Sequence, residues 1–314
     1  MNNSKVKVLY IAGTGRSGST LLSHILAQIT GFFSVGEAVL MWEENFISNR
    51  LCGCMTPFRE CEVWRGIMDE AYGGIDLQDA EEMHRLRCTF ARTRSLPLLL
   101  MPRREKLLGS SFKKYVDNLE KVYQAMQSST GCNLIVDASK FPAYGYILRT
   151  IPTIDLYVVH LVREPRAVAY SALRKKWNPD RGEYLRLYSP THASLIWDYT
   201  NLTTEAVLGR SRDRYLLLRY EDVVKNPREA IERVLKLVRE EASQLPFVAE
   251  DKVALTASHM LSGNPGVYKS TGIVKVQPDE EWKAKMKPWD KNLVSFLTSP
   301  LRLRYGYLNI GKRK

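Results

Sequence analysis

The chain has 314 residues, 45% of them hydrophobic and 25% charged. That balance excludes a fibrous or largely disordered protein. The 46 Lys and Arg against 34 Asp and Glu give a formal net charge of +12, which favours an anionic partner. No run of 18 apolar residues occurs, and the first residues lack a basic–apolar–small leader pattern, so a cytoplasmic chain with no membrane segment is expected.

In chain order, Val6–Ala12 reads as the first strand, and Ser19–Ile29 as a helix with Leu21, Leu22, Ile25, Leu26 and Ile29 on one face. Residues 61 to about 130 read as helical, with breaks at Gly73-Gly74 and Pro97, and as an insertion rather than an independent unit. Leu134–Asp137, Leu156–Val162 and Tyr215–Arg219 are the next strand candidates. Near-continuous apolar runs of this kind suit a parallel sheet covered on both faces. A helix over Arg228–Glu240 follows the start signal Asn226-Pro227. Gly263-Asn264-Pro265-Gly266 marks a loop. Strands alternating with helices predict an α/β fold, taken as a single domain over residues 1–314.

The five cysteines are Cys52, Cys54, Cys61, Cys88 and Cys132. An odd count predicts thiols rather than a disulfide framework. LCGCMTPFREC clusters three of them, but the C-x-C spacing is tight and no second pair follows, so no metal site is expected.

VLYIAGTGRSGSTLL is a strand, a glycine-rich turn and a helix start. Backbone N–H groups and a helix N-terminus there make an anion site. Three readings fit. Gly13, Gly15 and Gly18, with Glu37 downstream, fit a dinucleotide fingerprint and an NAD(P)-dependent oxidoreductase. Gly13, Gly18 and Thr20 fit a nucleoside-triphosphate loop, but Ser19 stands where that loop needs lysine. The third reading uses Arg16 as the loop cation, followed by Ser17, Gly18, Ser19, Thr20 and Leu21. A non-enzymatic polyanion-binding protein would use the charge alone.

Two downstream segments bear on the choice. HLVREPRAVAYSALRKK places Arg163 at a strand end and Ser171 eight residues on, where a guanidinium and a hydroxyl can hold a phosphate. LLLRYEDVVKNP ends a strand at Tyr220, which offers an aromatic face and a hydroxyl.

Together these segments resemble PAPS-dependent sulfotransferases (PAPS, 3′-phosphoadenosine-5′-phosphosulfate). RSGSTLL is similar to the 5′-phosphosulfate loop in its carbohydrate, tyrosylprotein and bacterial forms; R-x-P-R…S is similar to the 3′-phosphate site, and Tyr-Glu-Asp to the adenine neighbourhood. The resemblance covers most of residues 6–240. It implies a P-loop-like parallel sheet flanked by helices, PAPS as donor and PAP as product. It also implies an acceptor alcohol or amine on a metabolite, glycan, lipid, peptide or carrier protein, with no nucleic acid as partner. Lys269, Ser270 and Thr271 resemble a nucleotide-covering loop. Glu37, in Ser34-Val35-Gly36-Glu37, resembles the catalytic base of tyrosylprotein members. The small-molecule branch has a histidine base where this chain has Lys140, so Lys140 is assigned an electrostatic role with Arg16. No metal is required, since Arg and Lys supply the positive charge. None of His24, His84, His160, His192 and His259 falls at a matched position, although His259 is a rival for the acceptor site.

Overall fold

The computed structural model describes residues 5–74, 76–178, 182–263 and 270–308. The chain runs through β1 (Val6–Ala12), α1 (Ser19–Leu26) and β2 (Phe32–Gly36) into a 3-10 turn at Ala38–Leu40 and a π-helical segment at Met41–Ile47. Helices α2 (Glu62–Tyr72), α3 (Leu77–Phe90), α4 (Leu96–Leu99) and α5 (Arg104–Thr130) follow. Then come β3 (Leu134–Lys140), α6 (Pro142–Thr150), β4 (Ile154–Val162), α7 (Pro165–Leu173) and the short hairpin β5 (Trp177–Asn178) and β6 (Glu183–Tyr184). The remainder is α8 (Pro190–Leu208), β7 (Tyr215–Arg219), α9 (Tyr220–Lys225), α10 (Pro227–Val238), β8 (Phe247–Ala249), β9 (Lys252–Leu255), β10 (Gly272–Lys275), α11 (Glu281–Lys285), α12 (Pro288–Leu297) and α13 (Ser299–Arg304).

Five strands form a parallel sheet in the order β2-β3-β1-β4-β7. Side chains alternate across a strand. On β1, Val6, Val8, Tyr10 and Ala12 therefore join one apolar cluster, with α5, α6 and the helices of residues 62–99, while Leu9 and Ile11 join another with α1 and α10. Both faces are buried, which is why β1 and β4 read as unbroken apolar runs. A three-stranded antiparallel sheet, β10-β9-β8, packs against the second face through Val253 and Leu255.

The bounds of β1 and β7 match the apolar runs in the sequence. Elsewhere the structure differs. The first helix ends at Leu26, and β2 stands between it and Glu37. β3 continues past Asp137 to Lys140, with an irregularity opposite β1 between Tyr10 and Ala12. The helix starting at Pro227 stops at Val238, where Arg239 turns left-handed with φ 55°. In residues 61–130 the helices are α2 to α5, the last broken at Gly109 (φ 69°, ψ −165°).

Parallel strands share one carboxyl edge. Arg16 follows β1, Glu37 follows β2, Lys140 ends β3, Arg163 follows β4 and Tyr220 follows β7. Residues far apart in sequence thus reach one rim, the usual place for ligands in open α/β sheets.

Candidate active site

Two cavities open along this rim. The first, about 660 Å³, is lined by Arg16, Gly18 to Leu21, Arg163, Ser171 and Tyr220, among others. The second, about 480 Å³, runs under α8 past Val168, Ala172, Ile196 and Tyr199. Gly15, Arg16, Glu37, Lys140, Arg186 and Tyr188 line both, so the cavities meet at these six residues.

At the junction, Lys140 Nζ lies 2.6 Å from Glu37 Oε1, with both side chains mostly buried. Lys140 Nζ also donates to the Ala138 carbonyl at 3.0 Å. Two of the junction cations sit on left-handed backbone, Arg16 at φ 70° and Lys140 at φ 69°. Such conformations cost a non-glycine residue on the order of 1–3 kcal/mol and persist only where the surroundings enforce them.

The enforcement at β3 is a buried network. Asp137, fully buried, accepts hydrogen bonds from the Ser139 amide at 2.8 Å, from Ser139 Oγ and from the Tyr123 hydroxyl. Ser139 Oγ in turn accepts from the Val39 amide at 3.0 Å, two residues beyond Glu37. The ends of β2 and β3 are tied together from beneath. Burial pushes the Asp137 carboxyl up to about 6, against the pull of its hydrogen bonds from Ser139 and Tyr123.

In the first cavity, Arg163 lies over the Tyr220 ring, 4.4 Å from its centroid. Its guanidinium donates to the Arg16 carbonyl at 3.0 Å and to the Asp279 carbonyl at 3.1 Å, and pairs with the Asp279 carboxylate at 3.1 Å. Burial raises the Asp279 carboxyl, but Arg163, Arg174 and the Glu281 amide together hold it below its ordinary value. The Arg163 Nε and the hydroxyls of Ser17 and Thr14 are buried without a hydrogen-bond partner. Gly18 is dictated by the neighbouring ring: at φ 92°, a Cβ there would fall 2.4 Å from Tyr220 Cδ2.

Cations dominate the cavity. Burial lowers the Arg16 pKa, and Arg174 lowers it further, against Glu37. Lys176 is lowered by burial and then by Arg16 and Arg174. Like charges held together out of water favour an anion between them.

Of the residues singled out in the sequence, Arg16, Gly18, Ser19, Thr20, Leu21, Glu37, Lys140, Arg163, Ser171, Tyr220 and Ser270 line the first cavity. Ser17 is buried within the loop. Thr271 is exposed and lies outside both linings, and Lys269 falls outside the described residues. The sequence reading missed Lys176, Arg186, Tyr188 and Asp279. Lys176 stands in the basic run after Ser171, where charge was the signal; Arg186, Tyr188 and Asp279 carry no local pattern. Among the described residues, no histidine lines either cavity. His160 is buried between the Tyr215 hydroxyl and Asn201, and His259 stands beside cysteines instead of the second cavity.

Comparison with known proteins assigns the family and agrees with the fold. The profile of the sulfotransferase family matches residues 9–243, and the chain belongs to that family. Carbohydrate sulfotransferase 3 of Homo sapiens is 28% identical over 170 residues, which cover 50% of this chain and 34% of that protein, so the match spans about a third of the relative's length. The sulfotransferase domain from the curacin biosynthetic pathway superposes with a TM-score of 0.50 at 18% identity, covering 93% of this chain and 97% of that one. The sulfotransferase domain of the Synechococcus PCC 7002 olefin synthase gives a TM-score of 0.49 at 19% identity, covering 97% and 96%. The fold is the P-loop-like α/β fold of sulfotransferases. Family membership separates the chain from the oxidoreductases that its three loop glycines would also admit. Among the described residues, no helix is long and apolar enough to cross a membrane.

Proposed function

We propose that this chain, acting as a single domain, transfers a sulfuryl group from PAPS to a hydroxyl or amine acceptor. The observation that carries the reading is the junction of the two cavities at Arg16, Glu37 and Lys140. One cavity is cationic and suits a doubly phosphorylated nucleotide; the other is walled by apolar and aromatic side chains and suits an acceptor.

The residues of the first cavity fit such a donor. The buried Arg163 Nε lacks a partner that a phosphate oxygen would supply. Arg163 and Ser171 hold the 3′-phosphate, Tyr220 stands beside the adenine, and the loop from Arg16 to Leu21 holds the 5′-phosphosulfate. Ser270, which lines the same cavity, covers the nucleotide. PAPS supplies an activated sulfuryl group, whose sulfur–oxygen bond to the 5′-phosphate breaks as the acceptor oxygen or nitrogen bonds to sulfur, leaving PAP.

Glu37 takes the acceptor proton, the step a positioned carboxylate performs as general base. Arg16 and Lys140 stabilise the charge that develops on the leaving phosphate, from positions fixed before the reaction. Lys140 also holds the Glu37 carboxylate toward the junction. The similarity to a carbohydrate sulfotransferase puts sugar hydroxyls first among the acceptors to be tried.

The test is a screen of sugars, tyrosine peptides, lipids and carrier-bound metabolites with PAPS, read by mass detection. A sulfated product formed in step with PAP is expected. The absence of both PAP and sulfated product across all classes would contradict the reading.

A further inference from the structure

The sequence offers three neighbouring thiols and no fourth ligand, and the fold brings one in from nearly 200 residues away. Cys52, Cys54 and Cys61 converge on His259, with their ligand atoms all within 4.8 Å of one another. Cys54 Sγ lies 3.7 Å from Cys61 Sγ, and His259 Nδ1 lies 3.3 Å from Cys61 Sγ and 3.8 Å from Cys52 Sγ. A tetrahedral zinc ion with bonds of about 2.3 Å to sulfur and about 2.05 Å to nitrogen sets edges of roughly 3.8 Å between sulfurs and roughly 3.5 Å from sulfur to nitrogen. The distances match those edges. A disulfide, at about 2.05 Å between sulfurs, does not. Pairwise S–H hydrogen bonds would explain two contacts, but not four ligand atoms gathered around one point.

The backbone is shaped to hold the set. The Cys52 amide donates to the Thr56 carbonyl and the Met55 amide to the Cys52 carbonyl, with Met55 left-handed at φ 70°. Gly53 lets this turn touch the histidine's segment: a Cβ there would fall 2.5 Å from the Ser258 carbonyl oxygen. The Gly53 amide donates to the Met260 carbonyl at 3.0 Å, and Trp64 Nε1 donates to the His259 carbonyl at 2.9 Å.

We propose that Cys52, Cys54, Cys61 and His259 bind one structural zinc ion through three thiolates and Nδ1, contrary to the expectation of no metal site. The protein fills all four positions, the mark of a structural rather than a catalytic site. Binding releases the three thiol protons. The ion pins the 258–261 segment, which the Leu261 amide joins to the Val35 carbonyl at 2.8 Å and the Glu37 amide joins to the Leu261 carbonyl at 2.9 Å. Zinc therefore fixes the backbone at Glu37 and takes no part in the transfer. The metal site stands whatever the chemistry at Glu37; only its effect on turnover rests on the function proposed above.

The test is metal content and cobalt spectroscopy of the full chain. One zinc per chain should survive gel filtration. It should be lost in Cys54→Ser and His259→Ala, and kept in Cys88→Ser, whose thiol lies near His84 instead. Should the first two variants fail to fold, wild-type protein loaded with cobalt decides. Thiolate charge-transfer bands with intense tetrahedral d–d absorption support the site. Weak octahedral absorption, a chain with no zinc and freely titrating thiols, or a Cys54–Cys61 disulfide in the native protein would each overturn it.

Discussion

Glu37 and Lys140 leave neighbouring strands and form an ion pair 2.6 Å long where the two cavities join. Glu37→Gln keeps the shape and removes the basicity. Turnover is expected to fall by roughly 10²–10⁴-fold, the usual cost of losing a positioned base. PAP affinity, measured by calorimetry, should barely change, because the proposed nucleotide contacts lie on other residues. Near-normal turnover would remove Glu37 as base, and loss of PAP binding would assign it a binding role instead.

Arg163 and Asp279 give a pair of opposed expectations. Arg163→Ala should weaken PAP by on the order of 1.5–3 kcal/mol, the range for a charged hydrogen bond. Adenosine 5′-phosphosulfate lacks the 3′-phosphate and should lose far less. Asp279 already occupies part of the Arg163 guanidinium, so its carboxylate competes with a phosphate. Asp279→Asn should tighten PAP by a few-fold, about 1 kcal/mol, since the Asp279 side chain is partly exposed to water. Equal losses for both ligands in Arg163→Ala, or weaker PAP binding in Asp279→Asn, would contradict this placement of the 3′-phosphate.

Asp137 makes stability depend on pH. Its folded value of about 6 lies above the ordinary 3.8, because burial disfavours the charged form. Between those values the folded chain holds more protons than the unfolded chain, so this group's contribution to stability falls as pH rises through the window. Asp137→Asn removes that slope. The stability difference between wild type and variant, from urea unfolding, should shift by roughly 2–3 kcal/mol across the window. His160, which burial lowers to about 4, acts in the opposite direction but is common to both proteins and cancels in the difference.

The second cavity is testable without touching the cationic one. Ile196 lines it and is 37% exposed, so Ile196→Trp can narrow it with little cost to the core. The acceptor KM should rise severalfold while PAP affinity stays constant. An unchanged KM would place the acceptor elsewhere.

What the sequence made readable was local. The apolar runs of β1 and β7 carry their own bounds, and the loop from Arg16 to Leu21 reads as an anion site because its glycines and hydroxyls are adjacent in sequence. β2 escaped because Phe32–Gly36 is short and interrupted by Ser34. The strand candidate stopped at Asp137, since the irregular pairing that carries β3 on to Lys140 depends on its neighbour β1. Asp279 and His259 reach their partners only through tertiary approach, across more than a hundred residues, which no periodicity records.

The most direct measurement is a calorimetric titration of the full chain with PAP and, separately, with NADH. The cations Arg16, Arg163 and Lys176 lining the first cavity call for saturable PAP binding at one site per chain, competitive with PAPS, and no NADH binding. NADH binding, or a chain that ignores PAP, would contradict the account at its centre.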